Sequence, residues 1–243
     1  MERIAFVTGV SRGLGAALVD TLLAQHWQVV GIGRHDAPGV ASPRYRFIGH
    51  DLADPRGVPA AVGTALADAA RQAPAFAALV NNPAFAGPTG VFGRLAAADI
   101  AMSLDVNLAA PAALADAFCR AFAGSSTKRR IVNVSSGAAE RPIAGAGMYC
   151  VAKAGLEMLT RMLAVEHAGD GFAAITLRPG IIDTGMQTYM RSQSAEVLPS
   201  VDLFRGFHAS GDLVPAATVA QKLVARLLDA PVTSGRTYSY AEL

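Results

Sequence analysis

The sequence of 243 residues has little cysteine and no marked excess of charge of either sign. Its two cysteines, Cys119 and Cys150, cannot build a disulfide framework, and no cysteine or histidine cluster has zinc-site spacing. Lysine and arginine number 21 against 19 aspartates and glutamates, so the net charge is only +2. This balance argues against binding of nucleic acid or of an anionic membrane surface.

Long apolar runs are also missing. No uninterrupted apolar stretch approaches the roughly 18 residues that a membrane-spanning helix needs, so we expect no membrane segment. The first apolar run, Ile4–Val7, is too short for a signal peptide. Together with the scarcity of cysteine, this predicts a soluble protein of the reducing cytoplasm.

Short apolar runs alternate with long helical stretches along the chain. Apolar residues make up 52% of the sequence and charged residues 16%, which excludes disorder. The predicted strands are Ile4–Val7, Gln28–Gly33, Tyr45–Ile48, Phe76–Val80, Arg130–Val134 and Ala173–Leu177. The predicted helices are Leu14–Gln25, Asp54–Arg71, Asp99–Phe122, Met148–His167 and Pro215–Leu228.

This alternation is typical of βαβ units and predicts an α/β fold. We expect one Rossmann-like domain over residues 1–243, with a doubly wound, mostly parallel seven-stranded sheet and helices on both faces. Residues 180–213 break the rhythm, because they are weakly periodic and mixed in composition. We interpret this segment as a mobile lid or substrate loop.

A glycine-rich turn, Thr8–Gly15, follows the first strand and opens the first helix. Glycines there let the backbone approach a pyrophosphate, and the helix N-terminus offers free N–H groups to the phosphates. The spacing is Gly-x-x-x-Gly-x-Gly, and an ordinary glycine turn is the alternative. The predicted dinucleotide-binding residues of this turn are Gly9, Ser11, Arg12, Gly13, Leu14 and Gly15.

The end of the second strand indicates which dinucleotide binds. An NAD site usually carries an acid there for the ribose 2′-hydroxyl, but this sequence has Arg34 and no acid before Asp36. Arg34, with Arg12 from the turn, can pair with a 2′-phosphate, which predicts NADP(H). Two solvated surface arginines are the alternative. Asp51 and Leu52 are predicted to hold the adenine, although Asp51 could simply start a helix.

Three side chains suggest acid–base chemistry. Tyr149 and Lys153 are four residues apart and share one helix face, and Ser136 ends the preceding strand. An ammonium near the phenol stabilises the phenolate, so we expect Lys153 to lower the pKa of Tyr149. Ser136 can bond a substrate carbonyl oxygen beside the phenol. The combination, behind a phosphate-binding turn, predicts proton transfer to or from a carbonyl oxygen.

The sequence resembles the short-chain dehydrogenase/reductase family over nearly its whole length. The matching pieces are Thr8–Gly15, Asp51-Leu52, Asn81-Asn82, Asn107, Ser136, Tyr149, Lys153 and Pro179-Gly180. The resemblance implies that Tyr149 exchanges the proton, that Ser136 orients the carbonyl and that Lys153 holds the nicotinamide ribose. It further implies that Asn107 holds a relay water.

The resemblance also implies further cofactor contacts, from Asn81, Asn82, Pro179, Gly180, Ile182, Thr184 and Met186. One departure concerns the loop after the fourth strand, where Pro83-Ala84 stands in place of the family's Ala-Gly. Proline lacks an N–H and fixes φ, and alanine lacks the freedom of glycine. The loop beside the adenine ribose is therefore expected to differ.

The finer resemblance is to the branch of sepiapterin reductase and bacterial benzil reductase. It lies in residues 179–187, which read PGIIDTGMQ, and in Gly211–Val214. This resemblance implies reduction of a ketone or of one carbonyl of a vicinal diketone. Ser239 stands where a pterin-anchoring acid is expected, so apolar or aromatic diketones are favoured. The predicted apolar wall consists of Pro142, Ile143, Met148, Met186, Tyr189 and Met190.

We therefore expect an NADPH-dependent carbonyl reductase that acts on a small molecule. The sequence leaves two alternatives: a non-catalytic NADP-sensing or scaffold protein on the same fold, and an NAD(P)-dependent alcohol dehydrogenase that works oxidatively. The resemblance makes the long helices Asp99–Phe122 and Met148–His167 a dimer interface. A homodimer is expected first and a tetramer second.

Overall fold

A computed structural model describes residues 2–82, 84–169 and 171–243. Seven parallel strands form one sheet in the order β3-β2-β1-β4-β5-β6-β7. The strands are β1 Arg3–Thr8, β2 Gln28–Gly33, β3 Tyr45–Gly49, β4 Phe76–Asn81, β5 Lys128–Val134, β6 Phe172–Arg178 and β7 Thr237–Ser239. The predicted Rossmann-like fold is confirmed.

Eight α-helices accompany the sheet among the described residues. They are α1 Gly13–Ala24, α2 Val58–Arg71, α3 Ala97–Leu104, α4 Ala110–Ala121, α5 Gly147–Glu166, α6 Gly185–Arg191, α7 Val201–Ala209 and α8 Ala216–Leu223. Segments of π-helix follow α3 at Asp105–Ala109 and α8 at Val224–Leu228.

Two apolar cores cover the two faces of the sheet. The central strands β1, β2 and β4 are buried at five of their six positions and are mostly apolar, because both of their faces are covered. Successive side chains point to opposite faces, so Phe6 packs in the core with α2 and α4 whereas Val7 packs in the core with α1 and α8. This arrangement brings the carboxyl ends of all the strands to one edge of the molecule.

The strand order reverses beside β1, whose neighbours are β2 and β4. In open α/β sheets a crevice forms outside the carboxyl ends of the strands at such a switch point. Thr8 and Asn82 meet there, since the Thr8 Oγ1 accepts a hydrogen bond from the Asn82 backbone N–H at 2.9 Å. The topology thus fixes where a ligand site can form.

The predicted continuous helix Asp99–Phe122 is wrong in one respect. The π-helical segment Asp105–Ala109 interrupts it and contains the buried Asn107. By length and composition alone, the run Ala97–Ala121 could cross a membrane, contrary to the prediction that no segment could. One such helix is weak evidence, because the core helix of a soluble protein passes the same test.

Two other boundaries differ from the sequence prediction. Helix α2 begins at Val58 rather than Asp54, and the Asp54 carboxylate accepts a hydrogen bond from the Gly57 backbone N–H at 3.1 Å just before that helix. The predicted lid, residues 180–213, contains α6 and α7. Met190 of α6 and Val201 and Phe204 of α7 form a third apolar cluster with Ala86, Ala146 and Leu198.

Candidate active site

A cavity of about 940 Å³ lies at the carboxyl ends of the strands. It is near the top of the roughly 300–1,000 Å³ range of small-molecule and cofactor sites. Arg12, Arg34 and Asp51 line it together with Ser136 and Tyr149. The phosphate-binding motif and the acid–base residues predicted from the sequence therefore share one cavity.

The glycine-rich turn forms one wall of this cavity. Gly9 and Gly13 have positive φ angles of 70° and 58°, a backbone conformation that residues other than glycine rarely adopt. A Cβ at Gly13 would lie 3.2 Å from the Thr184 Cγ2, so the turn faces the start of α6 closely. The backbone is exposed to the cavity at this cradle, as a bound pyrophosphate requires.

Gly15 has a different role from the predicted cofactor contact. It does not line the cavity, and a Cβ there would lie 2.1 Å from the Gly9 carbonyl oxygen. Glycine is needed here because α1 packs directly on the turn that precedes it. The first two glycines of the motif shape the cavity, and the third shapes the packing behind it.

Two arginines that line the cavity have no anionic partner among the described residues. Arg12 and Arg34 are exposed, and neither guanidinium forms a salt bridge or hydrogen bond with the described residues. The first acid after the second strand, Asp36, is engaged, because one of its oxygens accepts hydrogen bonds from the Tyr45 hydroxyl and the Ala37 N–H, each at 2.6 Å. Both arginines are therefore available to an anionic ligand.

Ser136 and Tyr149 meet where β5 ends and α5 begins. The Ser136 Oγ accepts a hydrogen bond from the Ala138 backbone N–H at 3.2 Å, which leaves its own hydrogen to donate. Burial raises the pKa of the Tyr149 phenol to about 12, while the hydrogen bond with Ser136 acts in the opposite direction. Tyr149 is therefore a neutral phenol at neutral pH.

Lys153 lies one helical turn beyond Tyr149 and is only 1% exposed. Its Nζ donates a hydrogen bond to the Val134 carbonyl oxygen at 2.8 Å, and it lies 5.7 Å from the centre of the Tyr149 ring. Burial lowers the pKa of Lys153 to about 8. The side chain lines the cavity and still carries most of its charge at neutral pH.

The prediction that Lys153 lowers the pKa of Tyr149 is wrong for the protein alone. The pKa of Tyr149 is raised, because burial penalises the phenolate more than its surroundings stabilise it. The Lys153 ammonium is directed at the end of β5 rather than at the phenol.

The predicted asparagines divide between the cavity and the core. Asn82 lines the cavity and braces the glycine-rich turn, since its Nδ2 donates to the Thr8 carbonyl at 3.0 Å. Asn81 was predicted to contact the cofactor, but it is buried and donates to the Asn133 Oδ1 at 2.8 Å. Its neighbour Pro83 lies outside the described residues, whereas Ala84 lines the cavity.

Asn107 also differs from its predicted place. Its side chain does not line the cavity, because both ends of the amide bind the backbone of Phe85. The Oδ1 accepts from the Phe85 N–H at 2.9 Å, and the Nδ2 donates to the Phe85 carbonyl at 2.8 Å. The side chain of Asn107 thus holds a loop that lines the cavity, and its predicted relay water remains a prediction.

Half of the predicted substrate wall lines the cavity. Ile143, Met186 and Met190 do, as do the predicted cofactor residues Leu14, Leu52, Pro179, Gly180, Ile182 and Thr184. Pro142, Met148 and Tyr189 do not: Pro142 is exposed, Met148 is buried, and the Tyr189 hydroxyl lies 3.1 Å from the Thr89 Oγ1. The sequence reasoning missed several apolar lining residues, namely Phe85, Ala86, Met102, Val106 and Phe204.

One signal for the missed residues was available in the sequence. Met102 and Val106 are four residues apart and share one helix face. Phe204 and Phe85 come from segments far apart in sequence, so only the fold brings them together. Within the described residues, no group of histidines, cysteines or acids could hold a metal ion.

Ser239 and Glu242 face a different pocket. Both line a second cavity of about 420 Å³ rather than the one with Tyr149. The Glu242 carboxylate accepts from the Ser239 N–H at 2.6 Å and pairs with Arg236 at 2.7 Å. The backbone hydrogen bond from Ser239 contributes most to lowering the pKa of Glu242 to about 2.

Residues 3–195 match the family model of the short chain dehydrogenases, so the chain belongs to that family. Within it, the chain is 29% identical over 238 residues to a benzil reductase, "(S)-benzoin forming", of Bacillus subtilis (strain 168), with 97% of each chain covered. It is 31% identical over 140 residues to the sepiapterin reductase of Rattus norvegicus, covering 57% of this chain and 52% of the relative. The predicted family and branch are confirmed.

Solved structures of the same fold include complexes with both nicotinamide dinucleotides. A blue fluorescent protein from a metagenomic library, in complex with NADPH, is 27% identical with a TM-score of 0.75, covering 98% of this chain and 95% of that one. A 4-hydroxyisoleucine dehydrogenase complexed with NADH has a TM-score of 0.80 at 18% identity, covering 98% and 96%, and shows the fold alone. The family uses nicotinamide cofactors.

The buried Lys153 has a consequence for stability. Its pKa is about 8 in the folded protein and near 10.5 in an unfolded chain. Between these values the unfolded chain binds the extra proton, so the free energy of unfolding rises with pH. We expect wild type to gain stability relative to Lys153→Met between about pH 8 and about pH 10.5. Urea unfolding followed by fluorescence of the single tryptophan, Trp27, measures this.

Lys128→Met is the matched control, since it removes an exposed lysine and keeps Lys153. Its pH profile should follow that of wild type. A buried, titrating Lys153 would be contradicted if the difference in the free energy of unfolding between wild type and Lys153→Met did not change with pH. It would also be contradicted if Lys153→Met became the relatively more stable protein as the pH rises.

Proposed function

We propose that this protein is a cytoplasmic, NADPH-dependent reductase of ketones and vicinal diketones. The observation that carries the proposal is the shared cavity, which is lined by Ser136, Tyr149 and Lys153 and also by Arg12 and Arg34. The benzil reductase and sepiapterin reductase relatives support a carbonyl as the reacting group.

The chain's own residues orient the carbonyl oxygen and supply its proton. NADPH, when bound, supplies the hydride that goes to the carbonyl carbon. The Ser136 hydroxyl, which already accepts from Ala138, donates a hydrogen bond to the oxygen and orients it. Tyr149 gives its proton to the same oxygen as negative charge develops there. Lys153, charged and buried, fixes α5 to the end of β5 through its hydrogen bond to the Val134 carbonyl and would hold the nicotinamide ribose.

The neutral Tyr149 phenol is compatible with the role of proton donor. Burial raises its pKa to about 12, so the phenol holds its proton at physiological pH. The preference for reduction over oxidation is supported by the benzil reductase and sepiapterin reductase relatives.

The cofactor choice rests on charge. Arg12 and Arg34 have no acidic partner among the described residues, so the cavity offers two cations to a phosphate, whereas Asp36, the acid that follows β2, is engaged by Tyr45. Guanidinium groups bind phosphate through two parallel hydrogen bonds. NADPH carries the 2′-phosphate that NADH lacks, and this difference favours NADPH.

The substrate end is largely apolar. Phe85, Met102, Ile143, Met186 and Phe204 line the cavity, and the acid nearest the pterin-anchoring position, Glu242, lies in the second pocket. An apolar diketone fits such a wall better than a pterin, whose polar edge would lose its hydrogen bonds.

We propose a homodimer as the working assembly, with a tetramer as the second choice. Helix α5 exposes an apolar stripe at helical spacing, formed by Val151, Met158, Met162 and Val165. An exposed apolar stripe of this kind marks a contact surface. The opposite side of the same helix carries Tyr149 and Lys153, so assembly would steady the catalytic helix.

Loss of the phenol tests the function. With benzil and NADPH, we expect wild type to form the hydroxyketone and Tyr149→Phe to lose at least about 100-fold in kcat, because no proton donor remains. NADPH fluorescence titration of the same variant should give an affinity within about threefold of wild type, since the phenol's main role is in the transition state.

Sepiapterin assayed in parallel decides the substrate class. Faster turnover of benzil is expected. Faster turnover of sepiapterin would contradict the apolar assignment and would point to Asp183, an exposed carboxylate that lines the same cavity, as the pterin anchor. Full activity of Tyr149→Phe would contradict the reductase assignment itself.

Arg34→Gln tests the cofactor preference. A charge-assisted hydrogen bond contributes about 1.5–3 kcal/mol, so the Kd for NADPH should rise about 10- to 100-fold while the Kd for NADH stays nearly constant. Arg226→Gln is the matched control, because Arg226 is exposed and does not line the cavity. An equal loss of affinity for both dinucleotides would contradict a 2′-phosphate contact.

A further inference from the structure

A charged network adjoins the catalytic residues and has no part in the chemistry above. Its centre is Glu157, whose Oε1 accepts hydrogen bonds from the Ser135 hydroxyl and from the Arg178 Nε, each at 2.8 Å. Its Oε2 accepts from the Arg178 Nη2 at 2.7 Å. The Arg178 Nη1 also pairs with the Glu140 Oε2 at 2.6 Å. One carboxylate thus holds a hydroxyl and a bidentate guanidinium together.

Each member of this network is next to a part of the active site. Ser135 precedes Ser136 at the end of β5, and Arg178 precedes Pro179 at the end of β6. Glu157 follows Tyr149 and Lys153 on α5 at the same spacing of four residues, so the three share one face of the helix. The network therefore ties the ends of two neighbouring strands to the catalytic helix.

The bonding pattern is more specific than that of the surface ion pairs. The side chains of Arg178 and Glu157 are 19% and 13% exposed, whereas those of Arg120 and Asp116, an ordinary pair on α4, are 75% and 65% exposed. Hydrogen bonds to Glu157 and Glu140 raise the pKa of Arg178 further, so the guanidinium stays charged. A shielded bidentate pair fixes direction as well as distance.

Such a pair contributes little to stability compared with apolar packing, because removing charges from water costs free energy. Its distinctive effect is geometric. The Ser135 backbone N–H also donates to the Leu177 carbonyl at 2.7 Å, so backbone and side chain together fix this residue between β6 and α5. Because Ser136 is the next residue, these contacts also restrict the position of its backbone.

We propose that Glu157, Arg178 and Ser135 are positioning residues for carbonyl reduction. They hold the Ser136 hydroxyl and the Pro179–Gly180 turn in register with the Tyr149 phenol, although neither Glu157 nor Arg178 lines the catalytic cavity. The inference rests on the proposed reductase function. A misplacement of about 1 Å at the reacting groups can cost on the order of 100-fold in rate, so a modest loosening is sufficient.

The test uses Glu157→Gln, Ser135→Ala and the double variant, with benzil and NADPH. We expect each single variant to lose about 10- to 100-fold in kcat. The enantiomer ratio of the hydroxyketone product should move towards equality, because a loosened Ser136 holds the carbonyl less uniquely. The double variant should be no worse than Glu157→Gln, since Ser135 acts through Glu157.

Asp116→Asn is the matched control, because it breaks the exposed pair with Arg120 on α4 and should leave kcat and the enantiomer ratio unchanged. If Glu157→Gln does not fold, Ser135→Ala decides, since it deletes a single oxygen. A folded Ser135→Ala with the kcat and enantiomer ratio of wild type would overturn the proposal, even if its Tm were lower.

Hydrogen exchange without substrate separates this proposal from the proposed function. In Ser135→Ala and Glu157→Gln, amides of residues 134–138 and 177–181 should exchange at least about tenfold faster than in wild type, with α2 unchanged. If wild type does not reduce benzil, the proposed function fails. The positioning role of Glu157, Arg178 and Ser135 is then tested by the hydrogen-exchange rates alone. Unchanged exchange in both segments would overturn the positioning role.

Discussion

The hydrogen bond from the Lys153 ammonium to the Val134 carbonyl is the contact on which the site depends. It joins the catalytic helix to the end of a central strand at 2.8 Å, in a place where the side chain is 1% exposed. Burying this ammonium costs free energy, as its pKa of about 8 indicates. In return, the relative position of α5 and the sheet is fixed where Ser136 and Tyr149 meet.

Other buried polar contacts extend the same junction between α5 and the sheet. Asn81 donates to Asn133, and the Asn133 Nδ2 donates to the Thr160 hydroxyl at 2.9 Å, two turns of α5 beyond Lys153. Glu157 binds the ends of β5 and β6 on the same helix. Hydrogen bonds are directional whereas apolar packing is not. These contacts therefore fix the position of α5 along the sheet as well as burying the surface between them.

The sheet and the family were predictable from the sequence because their signals are local. Short apolar runs such as Gln28–Gly33 form strands buried on both faces, and the Tyr149–Lys153 spacing sets two side chains on one helix face. The π-helical break at Asp105–Ala109 was missed, because its residues are compatible with an ordinary helix. The two helices within residues 180–213 are short, so their periodicity was too weak to predict.

The less predictable part of the site depends on tertiary contacts. Asn81 and Asn82 are adjacent in sequence, yet one lies in the core and the other in the cavity, because successive side chains leave a strand end in opposite directions. The raised pKa of Tyr149 reflects burial that no motif encodes. Phe204 lines the cavity because α7 packs with Met190 of α6 and with the loop residues Ala86 and Ala146.

A crystal structure of the protein with bound NADPH would test the central claim most directly. The account predicts that the Lys153 Nζ binds the nicotinamide ribose while keeping the Val134 carbonyl, with the 2′-phosphate between Arg12 and Arg34. A nicotinamide bound away from Tyr149, or a Lys153 side chain turned out of the β5–α5 junction, would contradict it.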